Sequence, residues 1–247
     1  VAGSIKCLPK GTELITKGGF KKIEDVNEKD EILTRFGFKK VGAKFFTGKK
    51  RIYKIITELG LEIKASKEHK FLVRTEDGAE IWKELKDLNK EKDYLILDLS
   101  LKNYGEYQKL EKISLKHHNE KPIKMPDILD EKFAEWLGLL FGDGNITNIT
   151  YKNKRSARYI GFQIDARDKD LAKYIQKLSW ELFNVHSFIH TRKDKEDKSI
   201  SLRITSHPLI RFLKANGLFK DKVEKIRVPE KIKNSPPSVR AAFLRGY

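Results

Sequence analysis

A β-rich first half followed by an α+β second half, in two domains, is the fold class this chain predicts. Three observations lead there. The stretch from Thr12 to Leu97 breaks into short apolar runs of strand length separated by turn residues. After Pro126 the pattern alternates between helical and strand periodicity, and a polar segment lies between the two regimes. At 247 residues, with 39% hydrophobic content, the chain can fill two cores.

In the first half, Thr12 to Thr16, Glu31 to Thr34, Lys40 to Phe46, Arg51 to Thr57, Leu61 to Ala65, Lys70 to Val73 and Tyr94 to Leu97 are the expected strands. Gly18-Gly19, Gly37, Gly48, Gly60 and Asp77-Gly78 supply the turns between them. Residues 101–126, with His117-His118 and two prolines, are expected as a linker. Asp127 or Asp130 can then cap a helix running through FAEWLGLLFGDG. Arg158 to Asp165 alternates as a strand with Ile160, Phe162 and Ile164 on one face. Lys169 to Phe183 is an amphipathic helix carrying Leu171, Ile175, Leu178 and Leu182 at helical spacing. Strands at Ser187 to Arg192 and Ser199 to Thr205 precede a helix from Pro208 to Asn216, closed by Gly217. A last helix starts near Pro236-Pro237, and the order leaves one sheet face free.

The net charge of +17 points first to nucleic acid, because phosphate contacts release counterions; a lysine-rich solvated surface is the alternative. The single cysteine, Cys7, excludes an intramolecular disulfide and a Cys-rich zinc site. No apolar run has membrane-spanning length and no signal-peptide core is present at the start, so no membrane partner and a reducing, intracellular (cytoplasmic) location are expected. Abundant Lys and Glu with scarce Met and Cys lean toward a heat-adapted source. The first six residues, VAGSIK, carry no initiator Met and are expected to be either upstream flanking sequence or a remnant of cloning.

Two helices carry small residues four apart: Ala134 with Gly138, and Ala242 with Gly246, offset by 108 residues. Such pairs let helix backbones approach closely, which suggests two helices packed about a pseudo-twofold axis. Asp143 ends the first of them between Gly142 and Gly144. A carboxylate displayed there, beside a basic sheet, suits Mg²⁺-assisted phosphodiester hydrolysis; a capping or turn aspartate is the alternative.

The run LGLLFGDG, Leu137 to Gly144, resembles the first motif of LAGLIDADG homing endonucleases, and AAFLRGY, Ala241 to Tyr247, resembles the opening of the second, preceded by VPEKI at Val228 to Ile232. The resemblance implies that Asp143 binds a catalytic Mg²⁺ ion and that a second acid would fall at position 251. It also implies an αββαββα endonuclease half over 127–247, comprising the first half and the start of the second. Side chains alternate across a strand, so Tyr159, Gly161 and Gln163, with Ser201, Arg203 and Thr205, should face double-stranded DNA. Lys152, Lys154, Arg158 and Arg192 complete the expected DNA-binding set, and the run 192–198 is a solvated hairpin tip or a phosphate contact.

A second resemblance covers the β-rich half. CLPKGTELIT, Cys7 to Thr16, resembles the N-terminal splicing motif of inteins, and ASKEHKFLV, Ala65 to Val73, resembles their Thr-x-x-His motif, with Ser66 in place of Thr and His69 in register. KDEILT, Lys29 to Thr34, and Ile81 to Leu97 also fit, with Lys29 where a glycine is usual. This implies that 7–100 is the N-terminal part of a horseshoe-like Hint splicing domain. Attack of the Cys7 thiol on the Lys6 carbonyl would turn the Lys6-Cys7 peptide into a thioester. His69 would protonate the departing amide nitrogen and Ser66 would hold the scissile amide, with no cofactor required.

The final RAAFLRGY has no counterpart of the terminal His-Asn pair, so this chain alone is not expected to complete splicing. The expected partners are an intein-less host gene site, the flanking extein host protein and a missing C-terminal intein portion. An endonuclease part that has decayed to a DNA-binding or structural insert is the other reading.

Overall fold

The computed structural model describes residues 7–97, 103–116, 118, 120–150, 156–190, 199–220 and 227–247. They form two compact units, 1–103 and 104–247.

The first unit is a set of antiparallel hairpins. β1 (Glu13–Thr16), β2 (Gly19–Lys22), β3 (Glu31–Thr34) and β4 (Gly37–Lys40) form a sheet in the order β2-β1-β3-β4. β5 (Ile52–Ile56) pairs with β6 (Glu62–Ser66), and β7 (Lys70–Arg74) lies between β8 (Glu80–Glu84) and β9 (Tyr94–Leu95). Gly37, with φ of +84°, closes the β3–β4 hairpin, and the turn fixes its register from Thr34↔Gly37 to Glu31↔Lys40. That register corrects the expected strand from Lys40 to Phe46. β3 begins at Glu31, so nothing remains to pair beyond Lys40, and Phe45 and Phe46 stand 80% and 92% exposed. β2, β4 and β8 were not among the expected strands; each is held by its hairpin partner. Val26, Ala65 and Val73 are the buried apolar residues of this unit, against many exposed ones such as Trp82 and Leu59.

The second unit is α+β. It comprises β10 (Gln108–Lys109), β11 (Ile128–Leu129), α1 (Glu131–Gly142), β12 (Gly144–Thr150), β13 (Ser156–Asp165), α2 (Lys169–Phe183), β14 (Phe188–His190), β15 (Ser199–Ile204), α3 (His207–Ala215), α4 (Glu230–Lys233) and α5 (Pro237–Gly246). The antiparallel sheet runs β12-β13-β15-β14. Ile160, Phe162 and Ile164 of β13 and Ile200, Leu202 and Ile204 of β15 point into the core shared with Phe133, Trp136, Ile175 and Phe212 of the helices. The Trp136 indole donates to Ser179 Oγ at 2.9 Å, so the largest buried side chain leaves no polar atom unpaired.

The linker expected over 101–126 is corrected from Tyr104 onward. The Asn216 amide, at the end of α3, makes two hydrogen bonds to the backbone of Glu111, at 2.8 and 3.0 Å, and Arg211 of α3 pairs with Glu120 at 2.8 Å. A Cβ on Gly105, where φ is +93°, would lie 2.6 Å from the Asn234 carbonyl oxygen. The segment is thus stitched onto the second unit by side chains 90 or more positions away in sequence. β12 was not expected either: GNITNIT lacks clean alternation, and its strand conformation is imposed by full pairing with β13, from Gly144↔Phe162 to Thr150↔Ser156.

Candidate functional site

Asp130 rather than Asp127 caps α1, accepting the Phe133 N–H at 2.9 Å. α1 then packs on α5 backbone to backbone. A Cβ on Gly138 would collide with the Phe243 carbonyl oxygen, and one on Gly246 with the Glu135 carbonyl oxygen; one on Gly142 would lie 2.8 Å from the Tyr247 carbonyl oxygen. Ala134 and Ala242 complete the seam, both fully buried. The expected small-residue pairs therefore meet. Glu135 of α1 and Arg245 of α5 bridge its exposed edge at 2.7 Å, and Tyr174 of α2 donates to the same carboxylate at 2.9 Å.

Asp143 follows α1 as its exposed C-cap, with φ −94° and ψ 0°. Lys220, which sequence reasoning missed, is buried below it and donates to the carbonyl oxygens of Gly142 at 3.1 Å and Gly144 at 2.6 Å, clasping Asp143 from both sides. Burial pushes the Lys220 ammonium below the usual lysine range, while the Asp143 carboxylate acts in the opposite direction. No local signal marks Lys220: it is one basic residue in a basic chain, and its partners lie 76 and 78 residues earlier.

The sheet face opposite the core carries Gln163, Ser201 and Arg203, as expected. Gln163 faces Ser201 across the β13–β15 register and donates to its hydroxyl at 3.2 Å; Gly161 faces Arg203. The Arg203 guanidinium lies 4.8 Å from the Tyr159 ring centroid, and its Nε is buried without a hydrogen-bond partner. β12 adds Asn145 and Thr147, which pair with Gly161 and Tyr159 and so share this face. Arg158 corrects the DNA-facing set: it has the parity of Ile160 and Phe162 and is an exposed residue of the helix-side face. Lys152, Lys154, Arg192 and the run 192–198 lie outside the described residues.

In the first unit, Cys7 is half-buried with φ of +53°, a left-handed conformation that costs a side-chain-bearing residue about 1 kcal/mol or more. Its carbonyl accepts the Ser66 N–H at 3.2 Å, and the Ser66 carbonyl accepts the His69 N–H at 3.0 Å, so Cys7 is tied to the turn that carries Ser66 and His69. The Ser66 hydroxyl is buried without a partner of good geometry, although it lies close enough to favour both the Cys7 thiolate and the Glu68 carboxylate. Thr47 Oγ1 is 3.7 Å from the Cys7 sulfur and Lys50 Nζ is 3.4 Å from it. The Thr47 hydroxyl, then Lys50 and Ser66, hold the thiol below its usual range against the opposing effect of burial. Thr47 and Lys50 were not expected, since only pairing of distant strands brings them to Cys7. Lys6 lies outside the described residues.

The molecule thus comprises a β-hairpin unit whose single thiol lies beside Thr47, Lys50 and Ser66 and an α+β unit with a carboxylate at a glycine-packed helix seam. No family model matches the chain. It is 32% identical over 197 residues to an A-type ATP synthase subunit of Pyrococcus abyssi, matching 78% of this chain and 18% of that protein. The corresponding protein of Pyrococcus horikoshii is 28% identical over 99% of this chain and 26% of its own length. The replication factor C small subunit of Methanocaldococcus jannaschii is 25% identical, over 79% of this chain and 9% of its length. The chain therefore spans about a quarter or less of the curated relatives it matches. Among solved structures, a mesophilic variant of the homing endonuclease I-DmoI aligns with a TM-score of 0.35 and 27% identity, over 48% of this chain and 59% of that chain.

Proposed function

We propose that this chain is an intein portion in which the 7–100 region initiates protein splicing at Cys7 and the second unit is the first half of a LAGLIDADG endonuclease. The observation that carries the reading is the α1–α5 seam, where glycine-mediated backbone contact sets Asp143 beside the open sheet face and over Lys220. The relatives add support: the same stretch matches small parts of an ATP synthase protein and of a replication factor protein, as expected of one element inserted into unrelated hosts.

Asp143 suits a hard divalent ion such as Mg²⁺, which commonly takes one or two carboxylates together with substrate phosphate oxygens and waters. Asp143 would hold such an ion, with DNA phosphate oxygens able to complete its coordination. When bound, the ion would supply Lewis-acid activation of the scissile phosphate and help generate the attacking hydroxide. This chain's own residues do the rest. Lys220 donates to the Gly142 and Gly144 carbonyls and so holds the turn that presents Asp143. The Arg203 guanidinium and the Gln163 amide, on the open sheet face, offer donors to base edges in the major groove of double-stranded DNA.

For splicing, the Cys7 thiolate attacks the Lys6 carbonyl carbon. The carbon–sulfur bond forms, the carbon–nitrogen bond breaks, and the departing nitrogen takes a proton, a role suited to His69. Ser66, Thr47 and Lys50 surround the sulfur. The flanking extein protein and a C-terminal intein portion are the partners this route requires. With that portion restored, Cys7→Ala should abolish cleavage after Lys6, and Asp143→Asn should remove plasmid cutting in Mg²⁺ while DNA affinity and splicing persist. Undiminished cutting by Asp143→Asn overturns the metal role; DNA binding with no cutting by the unmutated protein identifies a binding or structural insert instead.

A further inference from the structure

We infer that Lys50 is the cationic partner that holds Cys7 as a thiolate, and that Glu68 sets how strongly it does so. The inference rests on the reading of Cys7 as a nucleophile. Strand pairing makes the site: β5 and β6 pair with Ile52 opposite Ser66, which carries Lys50, two residues before β5, to the place where the Ser66 N–H binds the Cys7 carbonyl. Lys50 Nζ there lies 3.4 Å from the Cys7 sulfur and 3.9 Å from Glu68 Oε2. Thr47 and Lys50, from the segment before β5, and Ser66 act on the sulfur, while Glu68 meets the Lys50 ammonium and the His69 N–H binds the Ser66 carbonyl on the same turn.

A lone cysteine beside a lysine is commonplace, and a second feature sets this one apart. The Ser66 hydroxyl is 1% exposed and has no hydrogen-bond partner of good geometry, leaving a buried donor beside the sulfur. An ammonium and two hydroxyls around one sulfur form a donor set for an anion. The Glu68 carboxylate shares the ammonium, so it weakens the donation to sulfur. The chemistry stays balanced: the thiol proton is released, the sulfur–carbon bond replaces the carbon–nitrogen bond, and the amine receives a proton, with no co-reactant.

The chain has a single cysteine, so alkylation of it by iodoacetamide reports Cys7 alone. The rate is measured against pH for the unmutated protein, Lys50→Met, Lys50→Arg and Glu68→Gln. Removing an ammonium this close to the sulfur disfavours the thiolate, so Lys50→Met should slow alkylation near pH 7 about tenfold and shift the whole profile to higher pH. Lys50→Arg should restore most of the rate. Glu68→Gln should shift the profile the other way, because it frees the ammonium for the sulfur. Circular dichroism checks that each variant is folded, and the shift of Glu68→Gln tests the idea even if Lys50→Met is not. Profiles that coincide for folded Lys50→Met, Glu68→Gln and the unmutated protein overturn the inference. Thiol-induced release of the upstream segment is followed in parallel on the protein with the C-terminal portion restored: release with unchanged alkylation profiles refutes Lys50 alone, whereas shifted profiles without any release refute the splicing reading and leave the thiolate pair standing.

Discussion

Replacing Gly138 by Ala inserts one methyl group where α1 and α5 touch. The new Cβ would collide with the Phe243 carbonyl oxygen and lie 2.8 Å from Tyr247 N and 2.9 Å from the Gly246 carbonyl carbon. All these atoms are helix backbone, so none can rotate aside and the helices must separate by about 1 Å to reach ordinary contact. Overpacking of this kind costs about 1–3 kcal/mol, and the rigid surroundings place Gly138 at the upper end. Alanine's better helix propensity returns about 1 kcal/mol. The net loss is about 2 kcal/mol, which for a unit of this size lowers Tm by about 6 °C. Trp136 is fully buried in the same unit, so its fluorescence follows unfolding in urea or on heating. Lys177→Ala, on the exposed side of α2, is the control and should change stability by about 0.5 kcal/mol or less. The two opposing contributions make the sign decisive. A Gly138→Ala protein about 1 kcal/mol more stable than the unmutated one would mean that propensity acts alone, which refutes backbone contact between the helices.

The Glu135 carboxyl is held below its usual range, first by the Arg245 hydrogen bond and then by Tyr174. A depressed carboxylate pKa contributes stability that is present above the unfolded value, near 4.5, and is lost as pH falls through the folded value. The second unit should therefore lose stability on acidification below about pH 4.5, and Glu135→Gln should flatten that part of a pH series of Tm measurements; identical slopes count against the bridge. On the open sheet face, Arg203→Ala should relax preference at one base position at a cost of about 1–3 kcal/mol in a competitive binding assay on the length-restored protein. Uniform weakening across all sequences, with a smaller salt slope, would reassign Arg203 to phosphate.

Much of this molecule is local and was legible as such. The strands at Glu31 to Thr34 and Lys70 to Val73 follow from apolar runs bounded by turn residues, and α2 follows from one apolar stripe whose bounds, Lys169–Phe183, match its periodicity. Ala134, Gly138, Ala242 and Gly246 suggested a close helix pair because two matching small-residue pairs let backbones approach, and the α1–α5 seam uses all four. Alternation likewise put Gln163, Ser201 and Arg203 on one sheet face.

What the tertiary structure decided is whatever depends on partners far away in sequence. β12 is a strand because β13 offers it a full ladder, although GNITNIT has no alternation of its own. The segment from Tyr104 belongs to the second unit because Asn216 and Arg211 satisfy its polar groups. Lys220 reaches the Asp143 turn, and Lys50 and Thr47 reach Cys7, through contacts that span 40 to 78 residues. Such residues carry no motif: a lysine's sequence neighbours fix its local conformation, but only the folded chain fixes which carbonyl, carboxylate or sulfur its ammonium meets, and that meeting sets its charge and its chemistry.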